Sequence, residues 1–228
     1  VAYDVRERGR LKREGDPLTG EIVRDENGDA VWVPGSLQGV KAIGWYIEEY
    51  GICQVSMNLT DLAATPLHVA FEEVSERARA RGMRATGSEI VGMVPLRVLR
   101  EAGEYFLRKQ QRSLGIPTSE VLKIAVRSLG LDELAPFDLQ HRVIEAAMAG
   151  EAKPRFVDKT VAAFADSVAS ESPTPGGGTV AAVVGALAAA LGTMVANGSA
   201  HKRGWDARWE EFSVWAVRGR AILEELEG

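Results

Sequence analysis

The sequence predicts an α+β layer, an antiparallel sheet with helices on one face, followed by an all-α region. Two observations carry this. Up to about residue 110, runs rich in β-branched and aromatic residues alternate with amphipathic helical periods. After Gly115 every periodic segment has helical spacing and no convincing strand follows. A third observation is size: 228 residues, 46% hydrophobic and 26% charged, suit one large domain or two small ones.

Element by element, Glu21–Arg24 and Ala30–Val33 flank Asp25-Glu26-Asn27-Gly28-Asp29, whose Asn-Gly pair tolerates positive φ, so a β-hairpin is expected. Pro34-Gly35 closes it. Residues 40–50 and 52–59, separated by Gly51, form a second strand pair. Thr65-Pro66 should start a helix, with Thr65 as cap, and Leu67, Ala70, Phe71, Val74 and Ala78 repeat at helical spacing until Arg81-Gly82. Ala85–Val94 is the next strand candidate. Pro95 opens a helix to about Gln110.

Pro117-Thr118-Ser119-Glu120 starts a further helix and Asp138 caps another. The small, polar stretch at 149–154 is the best linker, which divides the chain into 1–152 (α+β) and 153–228 (all-α). From Phe156 the chain is helical, broken only at 172–178. Residues 179–196 carry no charge over 18 positions, which raises the question of a membrane span. Only six of them are Val or Leu, supplying roughly −2 to −4 kcal/mol on the insertion scale. Small residues Gly185, Ala189 and Gly192 suit close helix contact, so a buried helix is the favoured reading.

A formal net charge of −5 argues against a general nucleic-acid binder. One cysteine, Cys53, rules out an internal disulfide and any zinc site of several thiolates; it is read as a core residue of a cytoplasmic protein. The first residue is Val, so the chain is read as a piece of a longer product. His68, His141 and His201 share no ligand-like spacing, and no nucleophile–base pattern or metal site is discernible.

Three segments could bind a ligand. Gly35, Ser36, Leu37, Gln38, Gly39, Val40, Lys41, Ala42, Ile43 and Gly44 lead from a turn into a strand. Glycine lets backbone approach a flat ligand, Ser36 and Gln38 can hydrogen-bond, and Lys41 can meet an anion. On the residues alone, a glycine-punctuated strand start is the plainer reading. Pro175, Gly176, Gly177, Gly178 and Thr179 precede a helix whose free amides attract anions, but they lack a P-loop's Lys-Ser/Thr ending; a flexible loop is the plainer reading. Glu89 is an acid in an apolar, glycine-bounded strand candidate. It faces either solvent or a polar ring, and periodicity does not separate the two.

Together these segments resemble a known family. Gly35-Ser-Leu-Gln-Gly-Val-Lys-Ala-Ile-Gly-Trp-Tyr46, Gln54-Val-Ser-Met-Asn-Leu-Thr60, Thr65-Pro-Leu-His-Val-Ala-Phe71, Gly87-Ser-Glu-Ile-Val-Gly92 and Ser128-Leu-Gly-Leu-Asp132 resemble the C-terminal subdomain of the formiminotransferase half of formiminotransferase-cyclodeaminases. Ser172-Pro-Thr-Pro-Gly-Gly-Gly-Thr-Val-Ala-Ala182 and Gly185-Ala-Leu-Ala-Ala-Ala-Leu-Gly192 resemble the start of the cyclodeaminase half. The resemblance covers nearly the whole chain.

The resemblance implies folate chemistry in histidine degradation: a formimino group passes from formiminoglutamate to tetrahydrofolate, and ring closure to 5,10-methenyltetrahydrofolate expels ammonia. It implies a ferredoxin-like sandwich followed by an incomplete antiparallel helical bundle, and a homo-oligomer through both domains. No metal, nucleic acid or membrane is implied. Residues 35–44 and Glu89 match its folate-contacting positions, Lys41 suits a polyglutamate tail, and 175–179 would contribute to a second folate site. The family's transferase histidine is expected upstream of Val1, and its cyclodeaminase aspartate just beyond Leu226. On that reading the chain holds binding surface from both halves, no catalytic residue, and no activity alone. Two rivals are a non-catalytic assembly module and a protein anchored in a membrane by residues 179–196.

Overall fold

The computed structural model describes residues 1–149 and 155–227. The expected boundary between residues 152 and 153 lies outside them. The architecture is α+β followed by all-α, and the chain divides into two compact units. The first comprises Val1–Glu89 with Leu129–Pro136; the second comprises Ile90–Ser128 with Phe137–Gly228.

The first unit is built on one long hairpin. Strands β3 (Val40–Ile47) and β4 (Ile52–Leu59) pair antiparallel in full register, from Val40 opposite Leu59 to Ile47 opposite Ile52. Side chains alternate across a strand, so Val40, Ala42, Val55, Met57 and Leu59 share one face. Against that face pack α1 (Ala2–Val5) and α2 (Leu67–Arg79), through Ala2, Val5, Ala70 and Val74. Helices therefore cover one side of the hairpin, as the α+β expectation required. Helix α2 ends as expected, with Gly82 at φ +73° and the Met83 amide donating back to Ala78.

A smaller sheet pairs β1 (Arg10–Leu11) with β2 (Trp32–Val33). The predicted 21–33 hairpin is only partly realised. Arg24 does bridge Ala30 across the Asp25–Asp29 loop, but Ile22 bridges Arg13, and the Val31 carbonyl takes the Lys12 amide. Those bonds transfer Trp32–Val33 to the 10–11 stretch.

In the second unit, α3 (Leu96–Lys109) and α4 (Thr118–Leu129) approach closely: a Cβ at Gly103 would collide with the Val121 carbonyl. Their apolar stripes bury Val98, Leu99, Ala102, Phe106, Val121, Leu122 and Ala125. Short helices α5 (Leu139–Arg142) and α6 (Ile144–Met148) follow. The Asp138 carboxylate caps α5 as expected, accepting the Gln140 amide at 2.8 Å. Then come α7 (Val161–Val168), α8 (Gly177–Ala200) and α9 (Trp209–Glu227). Helices α8 and α9 pack on small residues; a Cβ at Gly219 would run into the Thr193 side chain.

Several expectations are corrected. Residues 84–91 form no strand, because Ser88 donates its amide and hydroxyl to the carbonyls of Gly130 and Leu129 rather than to a strand partner. Thr65 does not cap α2: the N-cap position falls one residue later, on Pro66, and the Thr65 hydroxyl instead donates to the Gln38 carbonyl. The chain opens on the helical turn of α1, with the Asp4 and Val5 amides both closing on the Val1 carbonyl. Cys53 is exposed rather than in the core, because it lies near the hairpin tip, beyond the reach of the packed helices. The charge-free helix is also not buried: only Ala186, Thr193, Ala196 and Ala200 of α8 are, while Leu187 and Leu191 are 62% and 61% exposed. Its covered side carries those four small residues, while Val184, Leu187, Leu191, Met194 and Val195 face outward. By length and composition α8 could cross a membrane.

Candidate functional site

The face of the β3–β4 hairpin opposite α1 and α2 is open. Alternation places Lys41, Ile43 and Trp45 on it, opposite Asn58, Ser56 and Gln54 respectively. Lys41 is exposed and has no ion-pair partner among the described residues; Ile43 and Trp45 are 55% and 46% exposed. A flat apolar surface bearing an indole, edged by amide and hydroxyl groups and by one cation, suits a planar heterocycle with an anionic extension.

The segment leading into this face is braced on both sides. Its amides are already engaged: Ser36 donates to the Asp4 carbonyl at 2.9 Å, Leu37 to the Val5 carbonyl at 3.0 Å, and Gly39 to the Glu7 carboxylate at 3.1 Å. The Gly39 carbonyl accepts from both the amide and the hydroxyl of Thr60, each at 2.8 Å. Gly39 is at φ +64°, and a Cβ there would lie 2.7 Å from that of Asp61. At Gly35 a Cβ would strike the Arg6 carbonyl. The glycines thus serve close backbone packing within the protein.

Of the ten predicted positions, Leu37, Val40 and Ala42 point into the core, and Gly44 lies in the same row, near Ala2. Gln38, Lys41 and Ile43 stay accessible. The Ser36 hydroxyl donates to the Asp4 carbonyl at 3.4 Å and lies beside the Glu73 carboxylate; its polarity there, with Arg77 2.8 Å from the same carboxylate, holds Glu73 below the usual glutamate range despite partial burial.

Glu89 is exposed in the first unit. The hydrogen bonds on its flank, from Ser88 to Leu129 (2.7 Å) and Gly130 (3.1 Å), tie it to the 129–133 loop rather than to residues 35–44. There a Cβ at Gly130, at φ +63°, would lie 2.7 Å from the Gly87 Cα. Two motifs distant in sequence are therefore pressed backbone to backbone.

In the second unit, the turn before α8 is organised by Ser172, whose hydroxyl donates to the Thr174 carbonyl at 2.8 Å. Pro175 is buried and follows a cis peptide bond; Gly176, Gly177 and Gly178 are exposed. The N-cap of α8 is Gly176, with no side-chain cap, and Thr179 already lies within the first turn. The first-turn amides are open to an external acceptor.

The histidines remain scattered. His68 is half-buried on α2, His141 lies 2.6 Å from the Asp138 carboxylate, and partial burial, then the Arg112 charge, hold His201 below its usual range. Among the described residues no group of three His, Cys, Asp or Glu side chains could hold a metal ion. Trp45, Gln54, Ser56 and Asn58 were not singled out from the sequence, although period-two alternation from Lys41 identifies their face.

The formiminotransferase domain family matches residues 1–149, and the formiminotransferase-cyclodeaminase family matches residues 160–227. The chain is 42% identical over 179 residues to a formimidoyltransferase-cyclodeaminase of Gallus gallus, covering 78% of this chain and 33% of that protein. It is 35% identical over 207 residues to the protein of that name from Rattus norvegicus, covering 90% and 35% respectively. A glutamate formimidoyltransferase of Streptococcus pyogenes serotype M1 is 36% identical over 74 residues, 32% of this chain and 25% of that protein. The chain spans about a third of the length of the bifunctional relatives it matches. It belongs to the formiminotransferase domain family, joined in one polypeptide to a segment of the formiminotransferase-cyclodeaminase family.

Proposed function

We propose that this chain supplies folate-binding surface to a bifunctional enzyme of histidine degradation. That enzyme transfers a formimino group from formiminoglutamate to tetrahydrofolate, then closes 5-formiminotetrahydrofolate to 5,10-methenyltetrahydrofolate with release of ammonia. The observation that carries the reading is the open β3–β4 face, with Ile43 and Trp45 beside Lys41, a cation with no ion-pair partner among the described residues. The pterin and aminobenzoyl rings are flat and apolar on their faces, and the glutamate tail is anionic. The face matches both chemistries.

In this reading the residues bind and orient. Gln38 offers an acceptor to ring NH groups, Lys41 meets a glutamate or polyglutamate carboxylate, the rest of 35–44 supplies a rigid rim, and Glu89, held against the 129–133 loop, is a separate acceptor. Pro175, Gly176, Gly177, Gly178 and Thr179 present helix amides to an anionic group of the second folate. No residue of this chain is assigned an acid–base role, so the chain alone is expected to show no turnover. The reading needs no metal and no nucleic acid. It places the protein in the cytoplasm as a homo-oligomer, whose subunit contacts rather than lipid cover the exposed Leu187, Leu191 and Trp215.

The test is a calorimetric titration of this chain with polyglutamylated 5-formyltetrahydrofolate. Saturable binding, weakened by Lys41→Ala and by Glu89→Ala, is the expected result. Binding untouched by either substitution would remove the proposed site. No binding by the intact chain would favour an assembly module without folate chemistry.

A further inference from the structure

We propose that the turn Ser113–Gly115 is a latch fastening α8 and α9 to α3 and α4, so that parts of the two family segments behave as one cooperative body. The compact second unit already crosses the family boundary, taking in 90–128 as well as 137–228. What joins these parts is specific. The Leu114 amide donates to the Ser213 hydroxyl of α9 at 3.0 Å, and the Asn197 side-chain amide of α8 donates to the Gly115 carbonyl at 2.9 Å.

The contact is dry. Ser113 and Ser213 are 2% and 5% exposed, and Ala200 and Ala216 are as deeply buried. Polar groups so buried are costly to leave unmatched, and the two hydrogen bonds satisfy the turn's Leu114 amide and Gly115 carbonyl. Arg112 lies near enough to His201, at the end of α8, for its charge to bear on the imidazole.

Gly115 is the most telling residue. Its φ is outside the left-handed region, so its own backbone would accept any side chain. A Cβ there would nevertheless collide with the backbone and Cβ of Ala216. The size of residue 115, in the first family segment, is therefore dictated by α9, in the second. Gly177, Gly178, Gly192 and Gly198 on α8 meet nothing within 4 Å. The close approach at Gly115 is therefore not shared by those four glycines of α8.

The test uses the full chain with a protease site placed within residues 150–154, and hydrogen exchange of the intact chain. After cleavage the two pieces should elute together in native buffer, and Gly115→Val should let them separate. In the uncut chain Gly115→Val should lower the protection of α3–α4 and α8–α9 together, about tenfold or more, while Gly192→Ala changes neither. Should Gly115→Val not fold, the milder pair Ser213→Ala with Asn197→Ala should give the same coupled loss at smaller size. Separation of the nicked wild-type pieces overturns the proposal. So does a substitution that loosens α8–α9 while α3–α4 keeps its protection.

Discussion

The Thr65 hydroxyl donates to the Gln38 carbonyl at 2.7 Å across 27 residues of chain, and Thr65 is 2% exposed. A threonine placed to cap α2 instead ties the loop before that helix to the segment that enters the candidate binding face. The Asp61 carboxylate organises the intervening turn by accepting the amides of Ala63 and Ala64. The backbone position of Gln38 thus depends on a side chain from the loop before α2.

Thr65→Val should therefore destabilise the chain. It keeps the shape but leaves the Gln38 carbonyl without its hydroxyl donor, a loss of about 1–3 kcal/mol. Urea unfolding measures it, and a change within error would show that the bond contributes nothing.

Glycine substitutions should separate into two classes. Gly39→Ala combines a left-handed φ with a contact 2.7 Å from the Asp61 Cβ, whereas Gly28→Ala has the φ of +85° and nothing within 4 Å. Gly28→Ala should cost about 1–2 kcal/mol of backbone strain. Gly39→Ala should cost more and should also weaken folate binding. Equal losses in thermal unfolding would show that the Asp61 contact is not limiting.

Lys41→Ala should leave stability within about 0.5 kcal/mol, since the side chain is exposed and lacks an ion-pair partner among the described residues. Affinity for polyglutamylated folate should fall about tenfold, and Lys41→Arg should retain most of it. The loss should shrink as salt rises.

Acid should weaken the Ser36–Glu73 tie. Glu73 is held low when folded, so near its ordinary value the unfolded chain binds more protons than the folded one. Its stabilising contribution is complete above that ordinary value and disappears as pH falls through the lower folded value. Ser36→Ala removes the first of the interactions holding Glu73 low and should flatten the fall in stability as pH drops below the ordinary glutamate value. An unchanged slope would mean that Arg77 alone sets it.

Cys53 is exposed on β4, opposite Tyr46. Native protein should react with a thiol reagent to one equivalent without denaturant. A thiol that reacts only after unfolding would restore the core assignment made from the sequence.

Much of the scaffold follows from the sequence because its signals are local. The runs around Gly51 give the expected hairpin, its second strand matching 52–59 and its first stopping at Ile47 because residues 48–51 are taken up by the turn; Pro95 and Pro117 precede α3 and α4, and Asp138 caps α5. Such elements depend on periodicity, proline geometry and capping within a few residues. The motifs that place the chain in its family lie on the same stretches.

Tertiary structure decided what these residues do. Residues 85–94 look like a strand by composition, yet Ser88 commits its donors to a loop some forty residues away. Thr65 looks like a cap and is claimed by Gln38; Gly115 looks like a turn glycine and is sized by Ala216. In each case a hydrogen bond or a steric contact from distant chain outcompetes the local preference, and no window of neighbouring residues contains that partner. The sequence determined which segments are helix and strand in most of the chain. Which face of the hairpin stays open, and which glycines are packed rather than free, was settled only when distant segments came together.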